Sequence, residues 1–437
     1  MAYLYIKTFG CQMNVYDSHR IQDALEALGF TTVDQPDEAD VMVLNTCHIR
    51  EKADDKLFSE IGRLNEFKKK RRAEGKDTLL VVVGCVVQAS REVILEKAPA
   101  IDIALGPQNY HELPRLIVER VRQKGRVLIA DFPADTKFDV LPTMKAHSVS
   151  AFVAIQEGCD NFCSYCVVPY TRGCEYSRTF NAVLEEVKGL VDTGAKEIML
   201  LGQNVNCWTD GDKNFGDLLS AVAEIKGVER LRYMTSYPSK MTQNVIDAHR
   251  CYKNVMPYVH LPIQSGSDEI LQKMNRKYTV EGYLDIIERF RKARPDIAIS
   301  SDFIVGFPTE TEQQFEETVR IAQHVQYASS FSFKFSARPG TPASLMKGQI
   351  AEAVKTERLK KLQHVLQESQ KSFNKAVVGT EQEILWTSFN AEKGQVMGYT
   401  PYMQSVHMKG SADFVGNITS ACITSATLSS LTAKEKK

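Results

Sequence analysis

Three cysteines crowd into "EGCDNFCSYC": Cys159, Cys163 and Cys166, a Cys-x3-Cys-x2-Cys spacing. The chain has ten cysteines in 437 residues, too few for a disulfide scaffold, so a tight group points to a metal, a cluster or redox chemistry. Three chemistries compete. A structural zinc takes four ligands, and the neighbouring sequence adds only Cys174, without a paired spacing. A thioredoxin-like pair would use Cys163 and Cys166 and leave Cys159 without a part. A cubane iron–sulfur cluster on three thiolates uses all three and leaves one iron open to substrate or cofactor.

Three further cysteines are far apart in sequence but equivalently placed. Cys11, in "TFGCQMN", follows the apolar run "YLYIK"; Cys47 ends "VMVLNTC"; Cys85 ends "LLVVVGC". Residues 3–130 alternate strand-like runs (Tyr3–Thr8, Val41–Asn45, Leu79–Val83, Ile101–Leu105, Val127–Ala130) with amphipathic helical stretches such as "DSHRIQDALEALGF". Such alternation predicts a doubly wound parallel sheet, whose function gathers beyond the carboxyl ends of its strands. The loops carrying Cys11, Cys47 and Cys85 would then leave the sheet on one edge. Three thiolates on that rim would make a second metal or cluster site; the alternative is three unrelated core thiols.

Residues 132–150 carry two prolines and little periodicity and read as a linker. Six strand candidates follow, "FVAIQ", "EIMLLGQN", "RLRYMTS", "YVHLPIQ", "IAISSDFIVG" and "SSFSFKFS", separated by helical segments. Six βα units predict a partial barrel with its site at the strand C-terminal ends. Residues 351–374 read as a charged helix. Short strand-like runs from about 379 predict a small all-β barrel, and "LTAKEKK" at the end is expected to fray. The expected fold is α/β, in domains 1–132, 150–374 and 375–437.

Lysine plus arginine and aspartate plus glutamate number 54 each, so no global charge attracts nucleic acid and binding must come from local patches. One basic run, "FKKKRRAEGK" (Phe67–Lys76), sits at a helix end and could meet phosphate. The β module is poor in cations (Lys375, Lys393, Lys409). The start lacks a basic region followed by an apolar one, and no run of about 18 apolar residues occurs. The expectation is a soluble, cytoplasmic protein without membrane contact.

The motifs together resemble the radical S-adenosylmethionine methylthiotransferase family. "TFGCQMN", "NTCHIREKA" and "GCVVQ" are similar to the three blocks of its N-terminal domain. The cysteine triplet is joined by "CVVPYTRGCEYSR", "LLGQNVN", "HLPIQSGS", "MNRKYT", "SDFIVGFPTET" and "FSARPGTPA", and the β module resembles a TRAM domain. "CVVPYTRG" with "GQNVN" looks most like the branch acting on N6-isopentenyladenosine beside the anticodon of tRNA.

The resemblance implies two [4Fe–4S] clusters, on Cys159/Cys163/Cys166 and on Cys11/Cys47/Cys85, with S-adenosylmethionine as cofactor. It implies that one S-adenosylmethionine yields a 5′-deoxyadenosyl radical at the first site, and that sulfur, methylated by a second, enters C2 of the adenine from the other site. An aromatic C2–H is too poor an acid for side-chain chemistry, so the cofactors must supply the reactivity. By family position, Tyr165, Gln203, Asn204, Ser236, Gln264, Ser265, Asp302 and Arg338 are expected around S-adenosylmethionine.

Expected partners are tRNA, through an anticodon stem-loop carrying isopentenyladenosine, and an electron donor such as flavodoxin or ferredoxin, with the chain a monomer. Competing readings are the same chemistry on threonylcarbamoyladenosine or on a ribosomal-protein aspartate, a non-catalytic iron–sulfur RNA-binding protein, and a zinc-binding structural protein. Cys207, Cys251 and Cys422 are expected to be unliganded thiols, and His260 a packing residue.

Overall fold

The computed structural model of the chain describes residues 2–47, 53–123, 125–133 and 137–436. The chain gathers into two compact units. One comprises Met1–His147, Phe152–Asp160 and Val167–Arg178; the other comprises Ser148–Ala151, Asn161–Cys166 and Thr179–Lys437.

In the first unit β1 (Ala2–Thr8), α1 (Gln12–Glu26), β2 (Phe30–Thr32), β3 (Val41–Thr46), α2 (Ala53–Ala73), β4 (Leu79–Gly84), α3 (Cys85–Ser90), α4 (Glu92–Lys97), β5 (Ile103–Leu105), α5 (Leu113–Arg122) and β6 (Val127–Ile129) follow one another. The sheet is parallel throughout, in the order β2-β1-β3-β4-β5-β6. Every residue of β3 and β4 is buried, because both faces of a doubly wound sheet are covered. On one face Met42, Leu44, Leu80 and Val82 pack against Leu57, Ile61 and Leu64 of α2. On the other, Val41, Val43, Val81 and Val83 meet Ile21 and Leu25 of α1 and Leu116 and Ile117 of α5. Burial of each such side chain is worth about 1.5–3 kcal/mol.

The edge strand β2 was not anticipated. Its three half-buried or exposed residues carry no apolar alternation, and pairing with Ala2–Leu4 alone defines it. The expected linker also holds structure: Lys137 lies in a single 3-10 turn and is 1 % exposed. After β7 (Ser150–Ala154), the short strands β8 (Gln156–Glu157) and β9 (Tyr176–Ser177) pair antiparallel around α6 (Val168–Arg172).

The second unit continues with α7 (Phe180–Asp192), β10 (Glu197–Leu201), a hairpin of β11 (Thr209–Asp210) and β12 (Lys213–Asn214), α8 (Phe215–Ala223), β13 (Arg230–Met234), α9 (Gln243–Cys251), β14 (Tyr258–His260), α10 (Asp268–Lys273), α11 (Val280–Ala293), β15 (Ala298–Val305), α12 (Glu312–Val325) and β16 (Ser329–Lys334). The pairs β10–β13, β14–β15 and β15–β16 are parallel. With β7, whose Ser150 Oγ donates to Glu197 at 2.9 Å, they supply the six strands of a partial (βα)6 barrel. Capping boxes at Asn214/Asp217 and Thr311/Gln314 start α8 and α12, satisfying the first amides of each helix.

The 25-residue α13 (Glu352–Ala376) leads to a closed barrel of β17 (Glu381–Asn390), β18 (Gln395–Tyr399), β19 (Ser405–Lys409), β20 (Ile418–Ala426) and β21 (Leu431–Glu435). The last strand corrects the expectation of a frayed end. Leu431 and Ala433 are buried on alternate positions and close the barrel between β19 and β20. Two buried arginines of β13 fasten this barrel. Arg230 donates to the carbonyls of Tyr399 and Glu383, both at 2.9 Å, and Arg232 to those of Pro401 at 2.8 Å and Thr400 at 2.9 Å while pairing with Glu197 at 2.7 Å. No helix among the described residues is long and apolar enough to cross a membrane.

His249 of α9 lies wholly buried against Tyr233 and Phe290, with the Tyr233 hydroxyl 2.9 Å from its Nε2. Burial, aided by the nearby Arg294 and opposed by Asp296, drives its pKa from 6.5 down to about 3. The unfolded chain takes up this proton near pH 6.5 and the folded chain only near pH 3. Stability is therefore complete above pH 6.5 and falls by up to ~1.4 kcal/mol per pH unit below it, until about pH 3. His249→Gln should flatten the decline of melting temperature between pH 6.5 and 4; an unaltered slope would show that another group controls it.

Candidate cluster and cofactor sites

The three strands that lead to Cys11, Cys47 and Cys85 are direct neighbours. β1, β3 and β4 lie side by side, with Thr8 opposite Asn45 and Thr46 opposite Gly84, so they end at one level. Strand order reverses between β1 and β3, since α1 leads to β2 on the outer side and α2 to β4 on the other. A doubly wound sheet opens a crevice at such a point, and Cys11 and Cys47 flank it.

Backbone geometry turns the thiols toward one another. Gly10 and Gly84, each immediately before a cysteine, take φ values of +119° and +113°, which a side chain would strain. A Cβ on Gly10 would fall 2.3 Å from the Cys47 Cβ, and one on Gly84 2.3 Å from the Thr46 carbonyl oxygen. Cys11 caps α1, and Cys85 opens α3. The Cys11 and Cys47 thiols share a hydrogen bond, which outweighs burial and, with the charge of Arg172, lowers the Cys11 pKa to about 6. Burial pushes the Cys85 thiol up, against the pull of the same guanidinium.

Beside these thiols the first unit buries four charges that the sequence reading did not single out. Arg172 donates from Nη2 to Asp17 at 2.9 Å and to the Asn14 side-chain oxygen at 3.1 Å, and from Nη1 to Glu157. Lys137 Nζ lies 3.0 Å from Glu157, 3.5 Å from Asp17 and 4.6 Å from the Tyr110 ring centroid. Arg172 stands in the "YTRG" block, but nothing in its spacing tells that it turns inward.

Cys159 belongs to the first unit, two residues beyond Glu157. It is 8 % exposed and its amide donates to the Gly173 carbonyl at 3.2 Å. A Cβ on Gly158 would fall 1.9 Å from the Cys174 carbonyl oxygen, so Cys174 serves this loop through its backbone while its side chain is exposed. Cys163 and Cys166 belong to the second unit, in a turn closed by the Cys166 amide on the Cys163 carbonyl at 2.9 Å. The turn is held by the "MNRKYT" block and the residue before it: Ser164 Oγ donates to the Lys273 carbonyl at 2.8 Å, and Asn275 Nδ2 to the carbonyls of Asn161 and Phe162, both at 3.0 Å. Arg276 of that block, also missed, stacks between Tyr237 and Tyr278 at 5.1 and 5.7 Å.

Of the residues expected around S-adenosylmethionine, six follow strands of the second unit, Asp302 lies within one and Tyr165 stands in the cysteine turn; backbone hydrogen bonds tie the strand ends together. The Val205 amide, next to Asn204, donates to Thr235; the Ser236 amide to His260; and the Gln264 amide to Asp302. Gln203 and Asn204 follow β10, Ser236 follows β13, Gln264 and Ser265 follow β14, Asp302 lies within β15, and Arg338 follows β16. Ser236 Oγ is buried without a partner, an orphaned group suited to a ligand. Tyr165 packs its ring against Ile270, Met274, Phe307 and Phe335. Ser265 faces the other way, its Oγ 3.4 Å from Thr318 of α12 and accepting from the Ser267 amide. His260 is buried, 3.1 Å from Ser300 and 3.6 Å from Asp302.

Among the described residues, no three Cys, His, Asp or Glu side chains are grouped to hold a single metal ion. Thiolates that grip separate corners of a cubane stand farther apart than ligands sharing one ion. The soft, clustered donors at the sheet edge, with space kept by Gly10, fit a cluster. Cys207 lies in the turn after β10, Cys251 at the exposed end of α9 and Cys422 on β20.

Comparison with known proteins agrees with this arrangement. Residues 3–106 match the description "Uncharacterized protein family UPF0004", and residues 153–322 match the radical SAM superfamily. A protein of Ehrlichia canis strain Jake, named tRNA-2-methylthio-N(6)-dimethylallyladenosine synthase, is 48 % identical over 99 % of both chains. One of the same name from Ehrlichia chaffeensis is 50 % identical over 93 % of both. Among solved structures, the radical S-adenosylmethionine methyltransferase TsrM of Kitasatospora setae shares the fold, with a TM-score of 0.59 at 14 % identity, covering 79 % of this chain and 75 % of that one. Iron–sulfur clusters and S-adenosylmethionine are the cofactors expected for such a chain. The chain belongs to the tRNA-2-methylthio-N(6)-dimethylallyladenosine synthase family of radical S-adenosylmethionine enzymes.

Proposed function

We propose that this protein methylthiolates C2 of N6-isopentenyladenosine next to the anticodon of tRNA. One observation carries the reading: a second set of three thiols, Cys11, Cys47 and Cys85, gathered on neighbouring strands of a chain that also bears Cys159-x3-Cys163-x2-Cys166. A single cluster suffices to start radical chemistry; a second is what sulfur insertion needs. When bound, the clusters and S-adenosylmethionine supply the one-electron cleavage, the sulfur and the methyl group.

The chain's own residues do the rest. Cys159, Cys163 and Cys166 hold the first cluster, the last two from a turn braced by the Lys273 and Met274 carbonyls and the Asn275 side chain. Asn204, Ser236, Gln264 and Asp302, with Gln203, Tyr165 and Arg338, orient S-adenosylmethionine at the strand ends. Ser265 acts behind them, bracing Gln264 through α12. The domains 1–132, 150–374 and 375–437 divide the work among sulfur site, radical site and RNA contact. A reductant such as flavodoxin or ferredoxin supplies electrons, and the monomer works in the cytoplasm.

The basic helix end contributes to the RNA footprint only in part. Arg71 is buried on Asp40 at 2.6 Å and Lys68 pairs with Asp102, so both serve the fold. Lys69, Lys70, Arg72 and Lys76 are exposed; Lys69 pairs with Glu66 at 2.8 Å and Lys76 with Glu74 at 3.6 Å, so Lys70 and Arg72 are the exposed cations of this run most open to phosphate.

Three measurements test the reading. Anaerobically reconstituted protein should hold about eight irons per chain; about four would remove the second cluster. Cys47→Ala should abolish methylthio product in nucleoside mass spectrometry while 5′-deoxyadenosine is still released, and product at the native level would refute its ligand role. Lys70→Glu with Arg72→Glu should weaken tRNA binding several-fold and lower the slope of log affinity against log salt by ~0.7–0.9 per cation. An unchanged slope would exclude this helix end from the interface.

A further inference from the structure

We infer that Arg172 is the positioning cation of the Cys11/Cys47/Cys85 site, holding the buried anion that three thiolates create there and setting its reduction potential. The inference rests on the ligand reading proposed above and deepens it.

The guanidinium is 4 % exposed at the end of α6, and its donors are divided between two kinds of partner. Carboxylates fix it from behind: Asp17 Oδ2 at 2.9 Å and Glu157. On the thiol side it reaches Asn14 Oδ1 at 3.1 Å, and that oxygen lies 3.7 Å from Cys11 Sγ. Asn14 is itself held by Asn45 Nδ2, which donates to its carbonyl at 2.8 Å. The charge of the guanidinium also acts on the Cys85 thiol, where it opposes the effect of burial.

Stability does not explain this arrangement. Replacing buried ion pairs by apolar side chains of similar volume is often neutral or favourable, so four buried charges point to another role. Asp17 and Glu157 already balance Arg172 and Lys137, and the carboxylates are shared between the two cations. Lys137 is turned to the Pro107 carbonyl at 3.0 Å, so Arg172 is the cation aimed at the thiols. Three thiolates on a cubane core make a net anion whose charge grows on reduction. A fixed cation beside it favours the reduced form and raises the potential, as hydrogen bonds to the sulfurs do. Glu157 also stands two residues before Cys159, so the same contact ties the sulfur-side loop to the root of the other cluster's loop.

The test uses the full chain with Cys159, Cys163 and Cys166 all changed to Ala, so that only the second site can carry iron. Iron and sulfide content, melting temperature and the potential from a redox titration followed by electron paramagnetic resonance are compared for this parent, R172K, R172Q and R172Q/E157Q. R172Q should bind its cluster ~10–100-fold less firmly and titrate at a more negative potential. R172K should stay close to the parent. R172Q/E157Q, which keeps the parent's net charge, should remain more negative, and it carries the same reading should R172Q alone fail to fold.

A parent-like potential and full iron in R172Q or in the double variant overturns the proposal. So does equal loss of iron in R172K and R172Q with unchanged melting, which would mean that shape rather than charge matters. A parent without iron overturns the ligand assignment itself, before Arg172 is altered, and so separates the two failures.

Discussion

Parallel pairing is the constraint on which the arrangement depends. Strands that run the same way end on the same edge, so residues 11, 47 and 85 become neighbours although 36 and 38 positions separate them in turn. The pairing of Thr8 with Asn45 and of Thr46 with Gly84 fixes the level at which the loops leave. A slip by one residue would reverse every side chain of fully buried strands, and the two-faced core forbids it. Burial of Val41–Thr46 and Leu79–Gly84 therefore determines sulfur positions that those residues do not themselves contain.

A second constraint is electrostatic. Two of the structure's groups of buried charges are satisfied differently. Arg230 and Arg232 spend their donors on barrel carbonyls and on Glu197, which joins the C-terminal barrel to β13 and β10. Arg172 and Lys137 share Asp17 and Glu157 beside thiols. The first arrangement makes a joint. The second makes a local field in a medium of low dielectric, where a charge acts far more strongly than at the surface.

The places where the expectations failed share a cause. β2, the terminal strand β21 and buried Lys137 owe their state to partners far away in the chain. Phe30–Thr32 is a strand because β1 offers an edge; "LTAKE" is a strand because β19 and β20 leave a gap; a lysine is buried because Asp17 and Glu157 await it. The basic run misled in the same way, since Arg71 and Lys68 answer to Asp40 and Asp102 rather than to solvent.

The sequence by itself determined the alternation of strands and helices, the six cysteines of the motifs and the glycines before Cys11, Cys85 and Cys159, because apolar period and turn chemistry are local. It also determined the family, since motifs are strings. Only the tertiary structure decided that β1, β3 and β4 are adjacent, at what level their loops end, and that Arg172 turns toward the thiols expected there. Those are contacts between distant residues, set by sheet order and by the need of every buried charge for a partner, and no local pattern of residues encodes them.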